Sequence, residues 1–273
     1  MSTTSIRATQ FTTSADGTEL AYEVTGSGPA LVLVDGALCH RAMGPARGLA
    51  KELAGSFTVY VYDRRGRGES GAGASPYAIQ REVEDLAAVI DVAGGSAHVF
   101  GVSSGGALAL EAARDGVAME RLAVYEAPFI VDGTRPANDP QLPDRVREMV
   151  EEGRRGEAVK TFMRTVGAPA PVIALMRLMP AWRQLTAVAH TLPYDLSIVI
   201  EHEQGRPLPV GYYEGVEPGT LVIAGGKSPE YMRNSQAAIA DAVPRARLET
   251  LAGQTHMVKA KVVAPAVSGF LLG

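Results

Sequence analysis

Gly101-Val102-Ser103-Ser104-Gly105-Gly106 sets a serine hydroxyl between two glycines, one two residues before it and one two residues after. The apolar run Ala97-His98-Val99-Phe100 leads into this stretch and Ala107-Leu108-Ala109-Leu110 leads out of it, so the pattern reads as a strand, a sharp turn and a helix. A serine at such a corner presents its hydroxyl for attack on an electrophilic carbon. Gly101 and Gly105 have no Cβ, which lets the strand and the helix close around it. A free hydroxyl is a poor nucleophile near neutral pH, so a base must stand beside it. The chain offers five histidines: His40, His98, His190, His202 and His256. His98 lies inside the strand that leads to the turn, which suits packing or surface. His190 and His202 fall in a long irregular stretch, and His40 could line a pocket. His256 follows the last strand and precedes the last helix, where the carboxyl edge of a sheet returns it to Ser103, and it is the expected base.

The elements that must position these groups alternate along the chain. Strands are expected at 11–14, 19–24, 30–34, 57–62, 97–102, 121–125, 220–224 and 246–251, with Asp16-Gly17 turning the first pair as a hairpin. The middle strands are short, β-branched and apolar on both sides, as strands covered by helices on both faces are. Residues 82–92 carry Val83, Leu86, Ala87 and Ile90 at helical spacing, and 235–243 and 264–272 read similarly. This alternation predicts an α/β fold with a mostly parallel eight-stranded sheet. From 131 to 217 the alternation breaks into short helical patches, at 145–152, 158–166, 172–179 and 182–190, punctuated by proline and glycine. A connection this long predicts an inserted helical cap at 131–217, with a core of 1–130 and 218–273. Phe162, Met163, Met176, Trp182 and Tyr194 could face a pocket from it, though residues of these types at helical spacing more often pack a core.

Composition bounds the function. The 273 residues are 46% hydrophobic and 21% charged with a net charge of −4, ordinary for a globular protein and without the basic footprint of a nucleic-acid binder. One cysteine, Cys39, allows no intramolecular disulfide and no multi-cysteine metal site. Residues 1–10 lack the apolar core of a secretory leader, and no apolar run reaches membrane-spanning length. The expectation is a cytoplasmic protein, monomer or homodimer, that acts on a small molecule with no cofactor, no metal, no nucleic acid and no membrane. Gly66, Gly68, Gly71 and Gly73 do not form a dinucleotide-binding turn, because no helix follows directly.

Four segments in order resemble the α/β-hydrolase superfamily over nearly the whole chain. Leu31-Val32-Leu33-Val34-Asp35-Gly36-Ala37 is similar to its strand and oxyanion turn, and Tyr62-Asp63-Arg64-Arg65-Gly66-Arg67-Gly68-Glu69-Ser70 to its Asp-x-Arg-Gly-x-Gly-x-Ser loop. The serine turn and Gly253-Gln254-Thr255-His256 complete the set. The resemblance implies backbone N–H donors at Ala37 and Ser104 for a developing oxyanion, which needs two such groups. Asp35 stands where most relatives have histidine, which places a carboxylate near the site; Asp63 and Arg64 are expected to be structural. The superfamily usually carries an aspartate where this chain has Ser228. Some members place the acid one strand earlier, which here is Glu126, at the carboxyl end of its strand and in the chain order serine, acid, histidine. Asp195 and Glu230 are the rivals. Pocket candidates are Asp35, His40, Trp182 and Tyr194.

A serine nucleophile separates the chain from the epoxide hydrolases and haloalkane dehalogenases of this superfamily, which attack with aspartate. The expected activity is hydrolysis of a small, fairly apolar ester, thioester or lactone through an acyl-enzyme. The alternatives are a non-hydrolytic lyase or cyclase on the same scaffold, and a ligand-binding protein that has lost catalysis.

Overall fold

The computed structural model describes residues 8–273, so most of the leader reading at 1–10 lies outside the described residues. The strands are β1 (Gln10–Thr13), β2 (Glu19–Gly26), β3 (Ala30–Val34), β4 (Thr58–Tyr62), β5 (Ala97–Val102), β6 (Met119–Tyr125), β7 (Gly219–Gly225) and β8 (Ala246–Leu251). They form one sheet in the order β1-β2-β4-β3-β5-β6-β7-β8. β2 runs antiparallel to β1 and β4, and every pairing from β4 through β8 is parallel. The carboxyl ends of β3, β4, β5, β6, β7 and β8 therefore open on one edge, where ligands bind in open α/β sheets.

The helices are α1 (Ala46–Leu53), α2 (Ile79–Val92), α3 (Ser104–Arg114), α4 (Leu142–Glu151), α5 (Arg155–Thr165), α6 (Ala170–Met176), α7 (Ala181–Ala187), α8 (Leu192–Val199), α9 (Glu230–Ala242) and α10 (Ala260–Leu272). All six residues of β5 are buried, which requires cover on both faces. On one face α2, α3 and α9 supply Val83, Leu86, Leu108 and Ile239 to a core that includes Val32, Val99 and Val124. On the other, Leu49 and Leu53 of α1 and Val263 and Val267 of α10 pack on Leu31, Leu33, Phe100 and Tyr125. Between β6 and β7, helices α4, α5 and α8 build a smaller core of their own from Leu142, Val146, Val159, Leu192 and Leu196, joined by Leu38 from the loop after β3.

Two helices depart from the sequence reading. α1 was not anticipated. Residues 192–195, which lie outside every helical patch read from the sequence, begin α8. Pro193 sits at its first turn, where a missing N–H costs nothing, and α8 is apolar nearly all round because it is enclosed by its neighbours. Among the described residues no helix is long and apolar enough to cross a membrane.

Candidate active site

Ser103 occupies the corner between β5 and α3 with φ 56° and ψ −128°, a conformation that L residues rarely adopt. The corner is held by its N–H, which donates to the Tyr125 carbonyl at 2.8 Å. Close packing explains the flanking glycines. A Cβ on Gly101 would lie 2.5 Å from the Gly105 carbonyl oxygen, and one on Gly105 would lie 2.3 Å from that of Val34.

One strand over, β6 is followed directly by Glu126, also at positive φ (50°) and fully buried. Its Oε1 accepts the Gly225 N–H at 2.7 Å, and its Oε2 lies 3.0 Å from His256 Nδ1. A carboxylate in that position accepts, so Nδ1 carries the hydrogen and Nε2 keeps a lone pair for a substrate-side proton. The His256 side chain is 41% exposed at the end of the loop after β8. That loop is tied down by the Tyr125 hydroxyl, which donates to the Thr255 carbonyl at 2.6 Å. The structure thus brings Glu126 and His256 into contact. No hydrogen bond joins His256 to Ser103 among the described residues; such bonds commonly tighten only around substrate.

The Asp35-Gly36-Ala37 turn lies against the serine. A Cβ on Gly36 would stand 3.0 Å from Ser103 Cβ and 3.6 Å from its Oγ. The Ala37 N–H makes no hydrogen bond among the described residues, and Ser104, as the first residue of α3, has no intrahelical acceptor for its N–H. Asp35 is buried, and burial pushes its carboxyl up to about 7 against the opposing pull of Arg67 and Arg64. Its Oδ2 has no hydrogen-bond partner.

The other two carboxylates named in the sequence have different surroundings. Asp195 is 1% exposed and is bound by Arg64 at 2.8 Å, by Arg67 at 2.6 Å and by the Ser104 hydroxyl at 2.8 Å. Burial works against its charge, but Arg67, Arg64 and Ser104 hold its carboxyl below the usual range. Glu230 is exposed at the start of α9, and among the described residues it makes no hydrogen bond or ion pair with His256. Ser228 is buried with an unpartnered hydroxyl. Among the pocket candidates, Trp182 packs against the small helical core, and Tyr194 stacks on Tyr77 with ring centroids 4.0 Å apart. His40 pairs in an isolated bridge with Met43. His98 contacts Glu120 at 3.4 Å and Phe57, as its place in a strand suggested. An open depression of about 500 Å³ lined by Asp16, Thr18, Glu69 and Ser70 lies at the hairpin edge and contains none of the candidate residues. No group of three or more His, Cys, Asp or Glu side chains is disposed to hold a metal among the described residues.

Sequence reasoning missed the guanidinium cluster. Arg64 and Arg67 are almost wholly buried, with Arg64 also clamped by Glu82 at 2.6 and 2.8 Å. Three arginines in four positions just past a strand end were the available signal, since a buried charge requires a partner.

A model of the alpha/beta hydrolase family matches residues 30–265. An alpha/beta hydrolase from Sphaerobacter thermophilus is 46% identical, with a TM-score of 0.87 over 96% of this chain and 99% of that one. The Azorhizobium caulinodans protein named "Putative carbamate hydrolase RutD" is 35% identical over 100 residues, 35% of this chain and 36% of that one. The "Uncharacterized hydrolase YraK" of Bacillus subtilis is 26% identical over 154 residues, 54% of this chain and 55% of that one. The alignments thus span about a third to a half of these two relatives. With a family model matched across most of its length, a mostly parallel eight-stranded sheet and a serine at the strained turn after β5, the chain belongs to the alpha/beta hydrolase family.

Proposed function

We propose that this chain is a serine hydrolase in which Ser103 is the nucleophile, His256 the base and Glu126 the group that orients the imidazole. The contact between Glu126 Oε2 and His256 Nδ1 carries the reading, because it leaves Nε2 free to take a proton. Ser103 Oγ adds to the carbonyl carbon of the substrate while its proton passes to His256 Nε2. The oxyanion so formed is stabilised by the N–H groups of Ala37 and Ser104. The tetrahedral intermediate collapses to an acyl-serine, and His256 returns the proton to the departing alcohol or thiol. Water, deprotonated by His256, then attacks the acyl carbon, the Ser103 oxygen leaves with a proton from His256, and a carboxylic acid is released. The substrates are small, fairly apolar esters, thioesters or lactones, and the name of one relative adds carbamates to the screen. The helices of 131–217 act as a cap that shapes the acyl pocket over a core of 1–130 and 218–273.

Intact mass after treatment with a fluorophosphonate tests the reading. One adduct on the native chain, absent from Ser103→Ala, is expected, followed by turnover of short aryl esters. No adduct on either chain would overturn it and turn attention to non-hydrolytic chemistry or to ligand binding without turnover.

A further inference from the structure

The carboxylate of Asp195 reaches both sides of the oxyanion turn. Its Oδ2 accepts from Arg67 Nη2 at 2.6 Å, and the same guanidinium donates through Nη1 to the Gly36 carbonyl at 2.7 Å and to that of Cys39 at 3.3 Å. Its Oδ1 accepts from the Ser104 hydroxyl and from Arg64 Nη1, both at 2.8 Å. Arg64 Nη1 in turn reaches the Asp35 carbonyl at 3.2 Å.

The Gly36 carbonyl and the Ala37 N–H are the two ends of one planar, trans peptide unit. Fixing the oxygen fixes the N–H in the opposite direction, and a cation on the oxygen polarises the whole unit and makes the N–H a stronger donor. That peptide stands beside Ser103, as the 3.6 Å from a Gly36 Cβ to Ser103 Oγ requires. The second donor residue, Ser104, is held through its side chain by the same carboxylate.

We infer that Arg67 and Asp195 are positioning residues for the oxyanion site. Arg67 aims and polarises the Gly36–Ala37 peptide, and Asp195 sets Arg67 and Ser104 in register with each other. This rests on the serine-hydrolase reading above. It also ties the site to the helical segment between β6 and β7, since Asp195 belongs to α8. Any movement of α8 against the sheet edge is then felt by both oxyanion donors, although no residue of α8 needs to touch the substrate.

The test uses p-nitrophenyl butyrate as substrate and an alkyl trifluoromethyl ketone as a transition-state mimic. The ketone carbon accepts Ser103 Oγ, the serine proton goes to His256, and the former carbonyl oxygen becomes the oxyanion. Removing an oxyanion donor outright costs about 10²–10³ in kcat, so misdirecting one should cost about 10–100-fold. Arg67→Met and Asp195→Asn should each lower kcat by that factor with KM within about twofold, and weaken the ketone by the same factor. The double variant should fall little further, because the two residues act through one unit. Should Arg67→Met not fold, Asp195→Asn, which keeps the side-chain shape, decides alone. Native kcat in the foldable variants, or a KM that rises at constant kcat, would overturn the positioning role while leaving a labelled Ser103 in place. A native chain that neither labels at Ser103 nor turns over ester would overturn both readings.

Discussion

Glu126→Gln is the substitution whose outcome the structure constrains most tightly. The amide has the same shape as the carboxyl, so the volume at this fully buried position is unchanged. Its two ends are no longer equivalent. Gly225 N–H donates to Glu126 Oε1 at 2.7 Å, so the amide oxygen must take that place. The opposite orientation would set an NH₂ against the buried Gly225 N–H, at about 1–3 kcal/mol for the orphaned donor. The amide NH₂ therefore faces His256 Nδ1, 3.0 Å away in the native chain, and donates to it. Nδ1 becomes an acceptor and the hydrogen moves to Nε2. A histidine in that tautomer cannot accept a proton from Ser103. The comparable carboxylate-to-amide change in the serine-protease triad lowers kcat about 10⁴-fold. We expect a fall of about 10³–10⁴ here, equivalent to about 4–5.5 kcal/mol of barrier. The assay is kcat/KM on a short aryl ester, with the melting temperature recorded alongside. A variant that melts like the native chain and keeps activity within about tenfold would refute the argument, because the tautomer would then not matter.

Three further outcomes follow from other parts of the molecule. Burial lifts the Asp35 carboxyl from 3.8 to about 7, so the folded chain keeps this proton across a range in which the unfolded chain has lost it, and stability falls as pH rises through that window. Asp35→Asn removes a slope worth on the order of 4 kcal/mol in full, so melting curves from about pH 4 to 8 should diverge in favour of the variant as pH rises; parallel curves would exclude burial as the cause. Ser103 at φ 56° favours glycine, so Ser103→Gly should melt above Ser103→Ala by about 1 kcal/mol of stability while both are inactive; equal melting would show that the corner stores no strain. Tyr125→Phe loses the hydroxyl that holds the Thr255 carbonyl and should cost about 1 kcal/mol in chemical denaturation, with a several-fold fall in kcat as the His256 loop loosens; unchanged kcat would detach that loop from the chemistry.

The sequence and the structure agree where local pattern decides the outcome. The bounds read for β3, β5 and β8 are those observed, because each is a short run closed by glycine, proline or a turn. β2, β6 and β7 extend by one or two residues at an end into hydrogen bonds that sequence pattern does not record, whereas β1 lies one residue earlier than read and β4 starts one residue later. Glu126 came from the resemblance, in which some members place the acid one strand earlier, and the sheet sets the carboxyl end of β6 beside that of β5. Its contact with His256 spans 130 positions but joins two loops on the same sheet edge.

The Asp195 cluster was illegible for the opposite reason. Arg64 and Arg67 meet Asp195 across 131 and 128 positions, from a loop after β4 to a helix outside the sheet, and no periodicity relates the two. Within its own segment Asp195 looks like a loop or pocket residue, since Leu192-Pro193-Tyr194 has the composition of a turn. Only the packing of α8 against α3 and α4 turns it inward. Once inside, an isolated carboxylate is untenable, and two guanidinium groups on the facing loop are what make it stable. The same necessity explains Arg65, which would be an uncompensated buried cation without Asp85 at 2.7 Å and Asp16 at 3.0 Å. Charges in this loop are thus read correctly only together with their partners. The partners come from wherever the fold delivers a carboxylate, and that is how Arg64 and Arg67 come to lie in the structure behind the Asp35-Gly36-Ala37 turn.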